Sequence, residues 1–101
     1  MNDVLMKIKV IETIWIVEDH DTGELICATK TFEDAIDYLY RGNWLYEDTK
    51  IKTDDFKWKP IKEVFGERWL EIVKRFSSSK IDRLFEWDIS IRQLDLVEVI
   101  R

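Results

Sequence analysis

Two nucleophile-or-base side chains and four carboxylates fall within one short stretch: Glu18, Asp19, His20, Asp21, Glu24 and Cys27. His20 and Cys27 are the only histidine and cysteine among 101 residues. A thiol nucleophile and an imidazole base must lie within hydrogen-bond reach of one another. On an extended strand rising about 3.3 Å per residue, Cys27 stands roughly 12 Å or more from the tip of the turn that holds His20. That distance argues against catalysis. A calcium loop needs oxygen ligands at fixed offsets and a distal bidentate glutamate, and Asp19, Asp21 and Gly23 do not follow that register. Zinc wants about four ligands, usually with more than one His or Cys. No metal and no cofactor is therefore expected, and the carboxylates read as an acidic prominence on a polar turn.

Other carboxylates repeat at helical i, i+4 spacing, as Glu33 with Asp37 and Glu67 with Glu71. Acid–base catalysis needs two such groups in contrasting pocket environments. With 21 acidic residues in the chain, solvated pairs are the ordinary outcome. There is no phosphate-binding glycine loop, no serine elbow and no Cys-x-x-Cys. The aromatic surplus is more informative. Trp15 and Trp69 fit buried stripes and Trp87 opens the last strand, whereas Trp44 and Trp58 lie in an aperiodic stretch with Tyr46 and Phe56. Trp and Tyr are prominent in binding hot spots. An aromatic–acidic contact surface is thus expected from Glu18, Asp19, Asp21, Glu24, Glu33, Asp37, Trp44 and Tyr46. Aromatics beside Lys50, Lys52, Lys57 and Lys59 could stack on single-stranded bases, but the interleaved Glu47, Asp48, Asp54 and Asp55 oppose it.

These groups must be positioned by a small set of elements. Residues 8–19 are rich in β-branched and aromatic side chains and predict a strand, paired through the turn DHDTGE with a second strand at 24–29. Gly23 suits the left-handed position of a type I turn with a bulge. If Asp19 lies near Glu24, Cys27 falls opposite about Ile16. One hairpin face would then carry Ile14, Ile16, Leu25 and Cys27, and the other Trp15, Val17, Ile26 and Ala28. Both faces are apolar, so each needs a cover.

TFEDAIDYLYRG predicts a helix with Thr31 as N-cap and Gly42 as stop, burying Phe32, Ala35, Ile36 and Leu39. Residues 43–59 have no sustained period and read as a long connection with a short strand around Ile51. Pro60 fits the first position of a second helix. Its stripe (Ile61, Val64, Phe65, Trp69, Ile72, Val73, Phe76) keeps phase across Gly66, which either ends one helix or kinks a longer one. SSSKIDRLFE reads as a short helix capped by Ser78 or Ser79. In the tail, the alternation switches phase from Ile89 and Ile91 to Leu94 and Leu96, then to Val97 and Val99. That pattern predicts a bent third strand beside the first. The expected architecture is α+β, in the order ββααβ: a small antiparallel sheet, made of the N-terminal hairpin and the bent C-terminal strand, packed with two or three helices.

With 46% hydrophobic and 37% charged residues, the chain reads as one folded domain over 1–101. A lone cysteine gives no internal disulfide. No apolar run approaches the roughly 20 residues of a membrane span, and MNDVLMKIKV lacks a signal-peptide pattern. A cytoplasmic protein without membrane association is expected. The net charge of −5 is unevenly spread. Residues 1–48 hold 11 acidic and 4 basic side chains, whereas 49–101 hold 10 acidic and 12 basic. An acidic half disfavours direct nucleic-acid binding and can steer a basic partner.

The order strand–DxxTGE–strand–TFEDAIDYL, followed by PIKEVFGERWLEIV and a terminal strand, resembles small accessory proteins of Gram-positive phages and mobile elements. Some small acidic proteins of that kind, anti-CRISPR proteins among them, inhibit host defence nucleases. The resemblance implies a non-enzymatic inhibitor in the host cytoplasm, covering a basic surface on a host protein such as a nucleic-acid-binding nuclease. Two other functions fit the residues. One is a structural or regulatory homo-oligomer, in the simplest case a twofold dimer burying Trp15 and its neighbours. The other is a nucleic-acid accessory protein using the lysines of 50–62.

Overall fold

The computed structural model describes residues 7–100. The first six residues, part of the segment read for a signal peptide, and residue 101 lie outside the described residues. Strand β1 (Lys7–Asp19) turns into β2 (Leu25–Thr29), and helix α1 (Phe32–Arg41) follows. A small hairpin, β3 (Lys50–Lys52) with β4 (Trp58–Pro60), precedes an interrupted helical segment. That segment runs α2 (Ile61–Phe65), a 3₁₀ turn (Gly66–Arg68) and α3 (Trp69–Val73). Helix α4 (Ser78–Leu84) and strand β5 (Ile89–Ile100) complete the chain. Counting the interrupted segment once, the α+β order is ββαββααβ rather than ββααβ, with a three-stranded antiparallel sheet β2-β1-β5. The difference is the β3–β4 hairpin. Its strands are too short to show a period of two, so only a strand around Ile51 was legible and its partner was not.

The β1–β2 turn closes as its residues require. Gly23 adopts φ +72°, Asp19 N–H donates to the Glu24 carbonyl at 2.9 Å, and Gly23 N–H donates to the Asp19 carbonyl at 2.8 Å. The register differs from the expected one. Cys27 pairs with Val17 and Ala28 with Ile16, because an irregularity beside Glu18–Leu25 leaves Ile26 as an extra residue. Cys27 therefore shares a face with Val17 and Trp15, not with Ile16. A one-residue slip exchanges the two faces of a strand.

That front face carries the core. Val17, Ile89 and Ile91 join Ala35, Ile36 and Leu39 of α1, Ile51 of β3, Ile61, Trp69 and Val73 of the interrupted segment, and Ile81 of α4. Trp15 packs edge-on against Phe32 with ring centroids 5.1 Å apart. Trp15 is thus partly covered within the chain by Phe32 of α1. Thr31 caps α1, its hydroxyl accepting from Asp34 N–H at 3.1 Å. Gly66, at φ +77° and ψ −161°, ends α2 outright. Pro60 precedes the first helical residue instead of occupying it, closing the β3–β4 ladder opposite Lys50. The cap of α4 is Ser77, whose hydroxyl accepts from Lys80 N–H at 3.2 Å. It is neither Ser78 nor Ser79.

β5 pairs with β1 over the full length from Asp19–Ile89 to Lys7–Ile100. The third strand lies beside the first as expected, but the irregularity falls on β1, between Val10 and Glu12, with Ile11 as the extra residue. The phase switches in β5 record which face is apolar at each level. β2 pairs with β1 only from Trp15 to Glu18, so residues 7–14 and 94–100 form a two-stranded arm. The molecule measures 60 × 27 × 26 Å, with a radius of gyration of 17.2 Å. A compact chain of about 100 residues has about 13 Å.

Candidate protein-binding surfaces

The eight expected contact residues do not form one surface. Glu18 lies on the back of the sheet, held by Arg92 with Nε at 2.7 Å from its carboxylate. Arg92 faces Ile16 across the ladder, so this pair lies beside the one back-face isoleucine that is buried. Asp19 is spent on the turn: its carboxylate accepts from the N–H groups of Asp21 at 2.9 Å and Thr22 at 3.3 Å. Asp37 pairs with Lys74 at 2.7 Å across the gap between α1 and α3. That contact holds the Lys74 ammonium above its ordinary pKa, against the opposing effect of burial. Asp21, Glu24 and Glu33 remain exposed.

Two elements do bring acidic and aromatic groups together. A shallow depression of about 220 Å³ is lined by Asp19, Glu24, Leu25 and Ile26 from the hairpin and by Tyr38 and Trp44 from the end of α1. Trp44 is 44% exposed, Tyr38 49% and Leu25 58%. The placement of Trp44 follows from the helix end. Asn43 takes φ +63°, Trp44 N–H donates to the Leu39 carbonyl at 2.9 Å, and the indole folds back over Gly42. A Cβ on Gly42 would sit 3.0 Å from Trp44 Cδ1 and 3.3 Å from the Tyr38 carbonyl oxygen. Only a residue without a side chain leaves this room. Tyr46 points elsewhere, into a hollow with Tyr40, Arg41 and Trp69.

Sequence reading missed Leu25 and Tyr38. Tyr38 is off-phase with the buried stripe Ala35, Ile36 and Leu39, which was the available signal for an exposed aromatic. Leu25 keeps the expected place opposite Glu18 on the face of Ile16, and it is exposed there at 58%.

The groups that could do chemistry stay apart. His20 is exposed beyond β1, its N–H donating to the Asp88 carbonyl at 2.7 Å. Cys27 is half-buried against the core, and burial raises its thiol pKa. Among the described residues no three His, Cys, Asp or Glu side chains gather as metal ligands, and no helix is long and apolar enough to cross a membrane.

A second surface has the opposite charge. A groove of about 690 Å³ between the β3–β4 hairpin and α4 has an apolar floor that includes Ile51, Val64 and Leu84, with Lys52, Lys80 and Arg83 at its margin. Lys52 stands 5.0 Å from the ring centroid of Phe56, which is 77% exposed. Two other lysines of 50–62 are engaged with carboxylates. Lys57 approaches Asp55, and Lys62 is bound by Glu47 and Glu67.

No family model, no curated protein and no solved structure matches this chain.

Proposed function

We propose that this chain is a non-enzymatic protein-binding module whose hairpin-tip surface engages a basic patch on a partner protein. The observation that carries this reading is the convergence of three exposed apolar anchors, Leu25, Tyr38 and Trp44, beside the carboxylate of Glu24, with Asp21 exposed in the same hairpin turn. Aromatic anchors beside free charges combine the two determinants of a transient interface: slow dissociation from desolvated rings and fast association from charge. A surface of this kind competes with phosphate for Lys and Arg. That property suits an inhibitor of a nucleic-acid-binding protein, such as a phage-type antagonist of a host CRISPR nuclease.

The test is affinity capture from host lysate with the native chain beside Trp44→Ala and Asp21→Lys/Glu24→Lys. A basic protein retained by the native chain and lost with either variant supports the reading. Equal retention by all three refutes it.

A further inference from the structure

The two-stranded arm carries apolar side chains that no other described residue covers, and they change face along its length. Near the body, Leu94 and Leu96 lie on the back, with Ile14 opposite Leu94. Thr13 and Asp95, joined by a 2.8 Å hydrogen bond, interrupt the front face. Beyond the irregularity at Ile11 the front becomes a square of four aliphatic residues, in which Val10 faces Val97 and Ile8 faces Val99. An isolated two-stranded ribbon is marginal in water, because it has no second layer on which to bury a face. Long, apolar, open edges also invite pairing with another chain. Neither edge of this arm is protected by a third strand among the described residues.

We propose that the arm is a self-association element, covered by the same arm of a second copy of this chain. Two observations select a copy over a charged partner. The first is charge. Residues 7–14 and 94–100 hold two lysines (Lys7, Lys9) against three carboxylates (Glu12, Asp95, Glu98), so the arm is nearly neutral in a chain of net charge −5. Lys9 and Glu98 already face each other across the ladder. Such a surface neither repels its twin nor attracts a basic protein. The second is area. The side chains of Ile8, Val10, Ile11, Leu94, Leu96, Val97, Val99 and Ile100 are each 39–59% exposed. Counted over both faces of the arm, their exposed surface is on the order of 700 Å² per chain, so a copy that wraps the arm on front and back approaches the about 800 Å² that each partner contributes to a standard interface. A twofold pairing lets identical patches meet and closes the assembly at two copies. The inference does not depend on the hairpin-tip reading, because the two surfaces share no residue.

Light scattering across a micromolar dilution series tests the proposal on the full chain. The expected result is a mass of twice 12.2 kDa. Val10→Lys with Val97→Glu replaces a facing apolar pair by a facing ion pair, so the ladder is kept while the front square is lost. Leu94→Thr with Leu96→Thr does the same on the back with residues that favour strands. Either variant is expected to shift the mass to the monomer while leaving the near-ultraviolet circular dichroism of Trp15 and Trp69 unchanged. A native chain that stays at 12.2 kDa throughout, or a dimer that survives both variants, overturns the proposal.

Discussion

Cys27 shows how placement opposes the reactive form of a side chain. It sits opposite Val17 on the face that meets the core, and burial disfavours its thiolate. Native protein should react with a thiol reagent much more slowly than unfolded protein at the same pH, and Cys27→Ala should cost only about 1 kcal/mol. Rapid native labelling would contradict this placement. The Asp37–Lys74 pair gives a second test at this scale. Lys74 is raised first by its hydrogen bond to Asp37, against the opposing effect of burial. The folded state therefore holds that proton more tightly than the unfolded state. The pair's contribution is complete below the ordinary lysine value of about 10.4 and fades as pH rises through the higher folded value. Denaturation of the native chain and of Lys74→Met should differ by up to about 1 kcal/mol at neutral pH. The two curves should converge in strong alkali; a gap that stays constant there would count against the pair.

At the scale of elements, glycine geometry decides more than hydrophobic period. The stripe from Ile61 to Phe76 stays in helical phase across Gly66, and phase alone leaves one long helix or two short ones equally acceptable. The backbone at Gly66 settles the choice. Its φ and ψ lie in a region essentially restricted to glycine, and open space around the Cβ position means that any penalty comes from the backbone alone. Gly66→Ala should destabilise the fold by about 1–3 kcal/mol, read as a Tm lower by several degrees. An unchanged Tm would mean that the helix can run through. Gly42 acts differently. Its φ is ordinary, and what it supplies is the space into which the Trp44 indole folds. Thr31, Gly23 and Gly42 were legible as cap, turn and stop because each acts on its own backbone. The cap of α4 falls on Ser77 and not on Ser78 or Ser79, since a run of three serines leaves the cap position degenerate.

Over the whole molecule, charge and shape divide the work. If the hairpin tip meets a basic partner, association should slow as salt rises, because exposed charges are screened over about 10 Å at 0.1 M. Reversing Asp21 and Glu24 should lower the on-rate several-fold with little change in dissociation, whereas Trp44→Ala should mainly speed dissociation. Surface plasmon resonance at two salt concentrations separates these effects. Salt-independent association would eliminate charge steering. Asp19 is unsuitable for this test. Its carboxylate holds the turn, so Asp19→Lys would disturb the hairpin and the charge together.

Local pattern by itself determined the strand pair around DHDTGE, the capped helix from Phe32, the helical stripe with Trp69 and the existence of the last strand. Each of these rests on interactions a few residues apart or on a strong period, and both are written along the chain. Tertiary structure alone decided which carboxylates are free. Glu18 and Asp37 find cations that are 74 and 37 residues away, and no spacing rule reaches so far. It also decided that Leu25 and Tyr38 stand beside Trp44, because the hairpin and the end of α1 meet there. The arm is the clearest case. Its alternating residues announced strands, but whether a third layer covers them depends on where the helices pack. Here they pack on the front of the sheet near the body, and the far ends of β1 and β5 extend past them.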